Sequence, residues 1–379
     1  NEIVRLRLLL RVIYPSKLSK RSEYQLKKDT IHNCIYGVDI DPGAIEIAKL
    51  RLWLALVVDY EIRDIEPLPN LDYRLMCGNS LLEEFEGVRF YNGDDGKQDL
   101  GLFKDTKKQE KITELKKKVE EYFDIHDDAE KQNKRKEIND IKDWLIRTAL
   151  EKRRKELASY RKSEESKLNM FNEESRKKYF DNWGTKFLAE AKINEVLRNL
   201  HDPRKAKPFF IWKLEFIDVF EDKGGFDVVI ANPPYLEARS PEFNEQMKID
   251  AQIGTRGRWG DDSQYISRGS DLLIYFLDLS ICLLANTGIS VFITQNSWLD
   301  TDYGKKFQSF LLKHTHVKAV VDSDFKYFDS KLGPNINTVI SFFVGNKAPN
   351  SNDNILFARY HENFVNISSS IISDQISRL

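Results

Sequence analysis

Cysteine is scarce in this chain: the 379 residues include three, Cys34, Cys77 and Cys282, each far from the others. That set excludes a disulfide framework and a thiolate zinc site. It reads as buried free thiols in a reducing compartment, so a cytoplasmic protein is expected. Net charge is nearly absent as well. The 59 Lys and Arg are matched by 60 Asp and Glu, which removes any global attraction to nucleic acid and confines a phosphate-binding surface to local clusters. Long apolar runs are missing: the longest helical stretches carry Asp or Lys, and the opening residues do not read as a secretory leader, so no membrane association is expected. His314 and His316 have no acidic or thiol partner at ligand spacing, and no metal is expected. What is present is a chain 41% hydrophobic and 31% charged, with room for a substantial core and two domains.

The segment richest in chemistry is Phe226-Asp227-Val228-Val229-Ile230-Ala231-Asn232-Pro233-Pro234-Tyr235. Val228 to Ala231 read as a central parallel strand, which the prolines end because neither can donate to a ladder. A site is therefore expected at the strand's carboxyl end. An amine attached to an aromatic ring is a poor nucleophile because its lone pair is delocalised, so a catalyst has to favour the more tetrahedral nitrogen that develops as a methyl group arrives. The side-chain oxygen of Asn232 and the carbonyl of Pro233 are suited to accept one N–H bond each, and the Pro233-Pro234 pair holds them in place beforehand. Tyr235 is suited to stack on the ring. A base inside a duplex must be flipped out to reach such groups, at roughly a few kcal/mol. Aromatic stacking, about 1–3 kcal/mol per base, offsets much of that. Taken alone, the same residues also suit an ordinary strand and a proline-rich turn.

A second anchor lies upstream at Ile35-Tyr36-Gly37-Val38-Asp39-Ile40-Asp41-Pro42. It reads as a strand with an acidic tip, then a helix start: Asp41 suits an N-cap, Pro42 the first helical position, and Ile45, Ala48, Leu52 and Leu56 repeat at helical spacing. A carboxylate such as Asp39 at the end of a strand is where doubly wound sheets hold the ribose hydroxyls of an adenosine-containing cofactor. Capping of the turn is the simpler alternative.

Between the anchors, from about Lys104 to Asn199, the chain is dense in Lys, Arg and Glu. Ile112, Leu115, Val119 and Tyr122 repeat at seam spacing, as do Ile138, Ile141 and Leu145, which predicts a helical hairpin or small bundle. Lys116 to Lys118 and Lys152 to Lys155 are candidates for phosphate contact, although charge runs are mostly solvated faces. The run Gly254 to Gly260, with Arg256, Arg258 and Trp259, is expected to be a loop at the mouth of the site, a DNA contact or a plain connector.

In this order the motifs resemble an adenine-N6 DNA methyltransferase of the class whose cofactor motifs precede Asn-Pro-Pro-Tyr, especially the methylase part of type IIG restriction-modification enzymes. The resemblance covers most of the chain. Met76-Cys77-Gly78-Asn79-Ser80-Leu81 is similar to the motif that contacts the cofactor adenine; many relatives carry Asp where this chain has Asn79. Ser270-Asp271-Leu272-Leu273-Ile274-Tyr275-Phe276 is similar to the segment lining the cofactor and target pockets and opens an amphipathic helix to about Ala285, with Leu273 in place of a frequent Tyr. Gly288 to Thr294 and Gln295-Asn296-Ser297-Trp298-Leu299 follow as the next strand and motif. The resemblance implies cofactor contacts at Asp39, Ile40, Asn79, Ser80, Asn232 and Asp271, and an aromatic at Phe328 facing Tyr235 across the flipped base, with Tyr327 and Phe325 as substitutes. The family's glycine-rich cofactor loop is not found. The opening Ile3 to Leu10 resembles the helix that follows it, so the expectation is an internal piece of a longer protein.

The expected architecture is α/β: a three-layer, Rossmann-like S-adenosylmethionine-dependent methyltransferase sheet, largely parallel, with strands near Tyr36, Tyr73, Phe226, Ile289, Val317 and Ile336. Residues 1–103 form its cofactor half, 104–205 the charged helical insertion and 206–379 the catalytic half. The expected function is transfer of a methyl group from S-adenosylmethionine to adenine N6 in double-stranded DNA, within a restriction-modification or phage-defence system. Further domains of the same polypeptide are expected, for target recognition and, as one option, cleavage. Methylation of protein glutamine or RNA guanine, and DNA binding without catalysis, are the alternatives.

Overall fold

Where the sequence alternates short apolar strands with helical periods, the computed structural model shows an α/β protein; it describes residues 23–57, 70–90, 106–123, 125, 127–202, 205, 207–323, 337–345 and 354–360. The segments Ile3 to Leu10 and Asp329 to Asn335, with Phe325, Tyr327 and Phe328, lie outside the described residues. The chain divides into two units, residues 1–80, 85–88 and 99–217 in the first and 81–84, 89–98 and 218–379 in the second.

In the first unit, α1 (Glu23–Cys34) leads to β1 (Gly37–Asp39), then α2 (Pro42–Val57) and β2 (Leu75–Cys77). β1 and β2 pair in parallel, from Gly37 opposite Leu75 to Asp39 opposite Cys77. Asp41 caps α2 as its position implies, its Oδ1 accepting the Gly43 N–H at 2.8 Å. Ile31, Leu56 and Leu71 form a small core with Ile35 and Leu52 against it.

The insertion is three helices, α3 (Thr106–Tyr122), α4 (Asp128–Glu165) and α5 (Glu173–Asn199). The expected seam is the buried one: Ile112, Leu115, Val119, Tyr122, Ile138, Ile141 and Leu145 are all in the core. Asp127 and Asn172 cap α4 and α5 by accepting the N–H groups of Glu130 and Ser175. The chain then returns through buried Phe209, Phe210 and Ile211 to α6 (Trp212–Glu215) and α7 (Ile217–Lys223). A tight hairpin, β3 (Glu84–Phe85) and β4 (Val88–Arg89), turns at Glu86 and Gly87, whose φ values of 48° and 82° suit a twisted two-residue turn.

The second unit holds β5 (Phe226–Ala231), α8 (Glu245–Trp259), α9 (Leu272–Leu283), β6 (Leu284–Gln295), α10 (Asp302–His314), β7 (Thr315–Ser323), β8 (Thr338–Gly345) and β9 (Leu356–Tyr360). Its sheet has the order β5-β6-β8-β7-β9. β5 is parallel to β6 and β7 to β9, whereas β8 runs antiparallel to both its neighbours. β8 follows β7 directly in the strand sequence, without a crossover helix among the described residues, and adjacent strands joined that way pair antiparallel.

Four expectations need correction. The cysteines are not buried: Cys34 and Cys77 are exposed and Cys282 is half-buried. Within its sheet β5 is an edge strand, not a central one, and Val228 and Ile230 are 51% and 76% exposed because no described strand pairs beyond it. α9 is not amphipathic: Leu272 to Tyr275, Leu277 to Ile281 and Leu283 are all buried, as in a helix apolar on every side. Residues 254–259 are not a loop but the end of α8. Among the described residues no helix is long and apolar enough to cross a membrane.

Candidate active site

The carboxyl ends of β1 and β2 carry the first group of predicted residues. The parallel ladder runs one residue past β2, the Gly78 N–H donating to the Asp39 carbonyl at 2.9 Å, which sets the Gly78-Asn79-Ser80 turn beside Asp39. The Asp39 side chain is exposed, and its Oδ1 accepts the Asp41 N–H at 2.8 Å. So Asp39 does shape the turn, and its other oxygen faces outward from a strand end. Ile40, 69% exposed, presents a bare apolar side chain next to it.

The turn itself is buttressed from far along the chain. A Cβ on Gly78 would sit 2.5 Å from Cδ2 of Phe210, so only glycine admits that ring. The Trp212 indole N–H donates to the Ser80 carbonyl at 3.0 Å. Phe210, Trp212 and Phe216 pack as an aromatic trio with centroids 5.2–5.9 Å apart, and the Tyr36 ring just before β1 meets Phe216 at 5.3 Å. Phe209 to Trp212 thus brace the Asn79 turn, a role that no local pattern in the sequence announces.

The second group sits in the other unit, after β5. Asn232 is exposed, Pro233 buried, Pro234 exposed and Tyr235 half-buried. The Tyr235 hydroxyl donates to the Ile293 carbonyl of β6 at 3.4 Å, and burial pushes its pKa up to about 12, so it stays a neutral phenol at ordinary pH. Downstream, the Leu272 N–H donates to the Leu236 carbonyl at 3.0 Å. The Ala238 N–H donates to Asp271 Oδ1 at 2.9 Å. Asp271 is buried, and its Oδ2 accepts from Gln295 Nε2 at 2.9 Å, Ser297 Oγ at 3.3 Å and Tyr303 OH at 2.5 Å. Burial and the Asp271 hydrogen bond both raise the Tyr303 pKa. The sequence singled out Asp271, Gln295 and Ser297 by motif but gave no sign of Tyr303, an aromatic in the first turn of α10.

Arg258 and Trp259, expected on a mobile loop, are internal to the second unit. The Arg258 guanidinium lies 2.6–2.8 Å from Asp278 Oδ1 on α9 and donates to the Leu81 carbonyl at 3.1 Å; the two side chains are 1% and 0% exposed. Thr255 also donates to Asp278. The Trp259 ring packs edge-on against Phe310 at 4.9 Å. Three glycines in seven residues look like a loop, yet Gly254 is needed because a Cβ there would lie 2.0 Å from the Leu81 carbonyl oxygen.

Three side chains of the two basic runs have protein partners. Lys118 pairs with Glu137 at 2.8 Å, Lys117 with Glu121 at 3.8 Å, and Arg153 donates to the Glu86 carbonyl at 3.1 Å and pairs with Glu156 at 3.3 Å. They read as a self-neutralised helical surface.

A family model described as Eco57I restriction-modification methylase matches residues 33–328. A Methanocaldococcus jannaschii protein named type II restriction enzyme and methyltransferase is 30% identical over 304 residues, 73% of this chain and 23% of that protein. The chain therefore spans about a quarter of that relative's length. Among solved structures, the methyltransferase subunit of a type I restriction-modification system from Streptococcus thermophilus is similar with a TM-score of 0.30 and 15% identity, over 51% of this chain and 39% of its own. The type IIL restriction-modification enzyme MmeI in complex with DNA is similar with a TM-score of 0.30 and 15% identity, over 48% of this chain and 24% of its own.

Proposed function

Because this chain belongs to the Eco57I restriction-modification methylase family, we propose that it transfers a methyl group from S-adenosylmethionine to adenine N6 of a base flipped out of double-stranded DNA. The reading includes action in the cytoplasm, alongside a target-recognition domain elsewhere in a longer polypeptide, where any nuclease would also reside. The observation that carries it is the Asn232-Pro233-Pro234-Tyr235 turn, with Asn232 open to solvent at the end of β5 while Pro233 is buried and Tyr235 is tethered to β6.

The residues in the first unit fit the cofactor. An exposed carboxylate at a strand end, Asp39, suits the ribose hydroxyls. Ile40 offers apolar surface to the adenine ring, and the Asn79 carbonyl oxygen is an acceptor for its amino group, with the neighbouring Ser80 closing the turn. When bound, S-adenosylmethionine supplies the methyl group on a sulfonium that is already a strong electrophile.

The rest falls to the protein's own acceptors. Asn232 Oδ1 and the Pro233 carbonyl take the two N–H bonds of the target amine and favour a tetrahedral nitrogen whose lone pair is no longer conjugated with the ring; the proton that the methylated amine gives up passes by way of these acceptors to solvent, and no reorganisation is needed because the proline pair and the β5 ladder hold them. Tyr235 stacks on the extrahelical base, and Phe328 is assigned the opposite face. Neutral Tyr235 suits that work, since a phenolate would repel the nearby backbone carbonyl and the electron-rich base.

The test uses the full-length protein with labelled S-adenosylmethionine and DNA, RNA or protein as acceptor. Digestion of the DNA product should give N6-methyladenine, and Asn232→Ala should lower turnover about 100- to 1000-fold, as removal of a preorganised transition-state partner does, while cofactor affinity stays near that of the wild type. N4-methylcytosine, or labelling of RNA or protein alone, would refute the base assignment. Near-normal turnover by the Asn232 variant would refute the mechanism.

A further inference from the structure

Asp271 stands at the N-cap of α9, where an aspartate ordinarily accepts an N–H from the first turn of its own helix. Its side chain makes no such bond. Instead it reaches away from the helix, to Ala238 with one oxygen and to Gln295, Ser297 and Tyr303 with the other. An ionised carboxylate offers about four acceptor sites, two on each oxygen. Here Oδ1 holds the Ala238 N–H, and the three side-chain partners gather on Oδ2, where the Ser297 and Tyr303 hydroxyls also hydrogen-bond to each other at 2.9 Å. Among the described residues no cation pairs with this buried group; what faces it are those hydrogen-bond donors and the N-terminal end of α9.

We infer that Asp271 is a positioning residue for the proposed methyl transfer: it clamps the trailing end of the Asn232–Tyr235 turn, through Ala238, to the turn after β6 and the first turn of α10. The inference rests on the functional reading above. It also gives Asp271 a role other than the cofactor contact that the motif resemblance implies, because the side chain is buried and both its oxygens already hold protein donors.

The clamp completes a set. The β5–β6 ladder pairs Ala231 with Phe292 and so fixes the leading end of the turn; burial of Pro233 and the Tyr235 hydrogen bond fix its middle. The Leu236 and Ala238 bonds to the start of α9 fix its tail. Without Asp271 the Ala238 N–H and three side-chain donors lose a shared acceptor at once, and the Asn232 and Pro233 acceptors drift. A displacement of about 1 Å costs on the order of 100-fold in rate.

The full-length protein decides the matter. For Asp271→Ala we expect turnover at saturating cofactor to fall about 10- to 100-fold, the cofactor Kd from calorimetry to stay within about two-fold, and amide exchange across residues 232–240 to quicken. Asp271→Asn keeps an oxygen for Ala238, while Gln295, Ser297 and Tyr303 can each turn an acceptor toward its new amide, so it should recover most of the rate. Tyr303→Phe, which removes one donor and no packing atom, should cost a few-fold and serves if Asp271→Ala does not fold. A cofactor Kd weakened at least about ten-fold with turnover intact would make Asp271 a cofactor ligand and overturn the inference. So would wild-type turnover in Tyr303→Phe, or an Asn variant no better than Ala. If the wild type methylates nothing, the functional reading fails by itself, and unchanged exchange of residues 232–240 in Asp271→Ala would still overturn the clamp.

Discussion

Replacing Arg258 by Ala separates two accounts of the same residue. On a mobile loop beside DNA, Arg258 would be a phosphate contact whose loss lowers affinity and flattens the salt dependence of binding by about one unit of slope. In the structure it is 1% exposed, bonded to Asp278 at 2.6–2.8 Å and to the Leu81 carbonyl at 3.1 Å, with Asp278 0% exposed. Truncation leaves the Asp278 carboxylate buried with Thr255 as its remaining partner, and breaking such a pair costs about 3–5 kcal/mol. At about 2–4 °C per kcal/mol for a unit of this size, the melting temperature should fall by roughly 6–20 °C. Burial holds the Asp278 pKa above its ordinary value even opposite Arg258. A carboxyl raised in the folded state favours folding most when protonated, below the unfolded value, and loses that contribution as pH rises through the folded value. The Arg258→Ala defect should therefore be worst at neutral pH and shrink toward pH 4. Replacing both partners, Arg258→Met with Asp278→Leu, should restore much of the loss, because the desolvation penalty goes with the pair. Thermal unfolding followed by circular dichroism, with DNA affinity measured across a salt series, reads every arm. An unchanged melting temperature together with a shallower salt slope would refute the buried-pair account.

Two further outcomes are expected. Tyr235→Phe keeps the ring and should leave 2-aminopurine brightening at the target base near wild type, whereas Tyr235→Ala should lose most of it, by about 1–3 kcal/mol of stacking; equal dimming in both variants would mean that the hydroxyl, not the ring, matters. Burial alone would raise the Asp72 pKa, but the Tyr122 hydroxyl, Arg135 and Lys49 hold it below the ordinary carboxylate value. A depressed folded pKa stabilises above the unfolded value and stops doing so as pH falls through the folded one. Asp72→Asn should thus lower the melting temperature at pH 7, by an amount that shrinks as pH falls below the ordinary carboxylate value, and a pH-independent difference would contradict the assignment.

Legibility of the sequence followed the range of the interactions. The Asp41 cap, the Pro42 start and the α3 and α4 seams rest on neighbours within a few residues, and Ile112, Leu115, Val119 and Tyr122 are buried as their spacing requires. The strand ending at Asn232 was equally plain, since two prolines leave little choice. What the pattern did not reveal depends on partners far along the chain. Gly254 looked like a loop residue, because nothing nearby in sequence shows that Leu81 presses on it. The resemblance implies a cofactor contact for Asp271, and no local pattern shows its protein partners, which lie 24 to 33 residues away. Val228 and Ile230 have the composition of a central strand, but composition does not say which neighbours are at hand.

The bond between the Trp212 indole and the Ser80 carbonyl joins residues 132 apart. Closing a loop of that length costs roughly 4 kcal/mol in chain entropy beyond a constant, from its logarithmic dependence on length. The three helices in between can form early from local contacts, which shortens the effective loop before it closes. The order of assembly is then built into the fold. During synthesis, the turn bearing Asn79 leaves the ribosome well before the aromatic residues that brace it, and it has to wait, unbraced, until Phe210 and Trp212 follow.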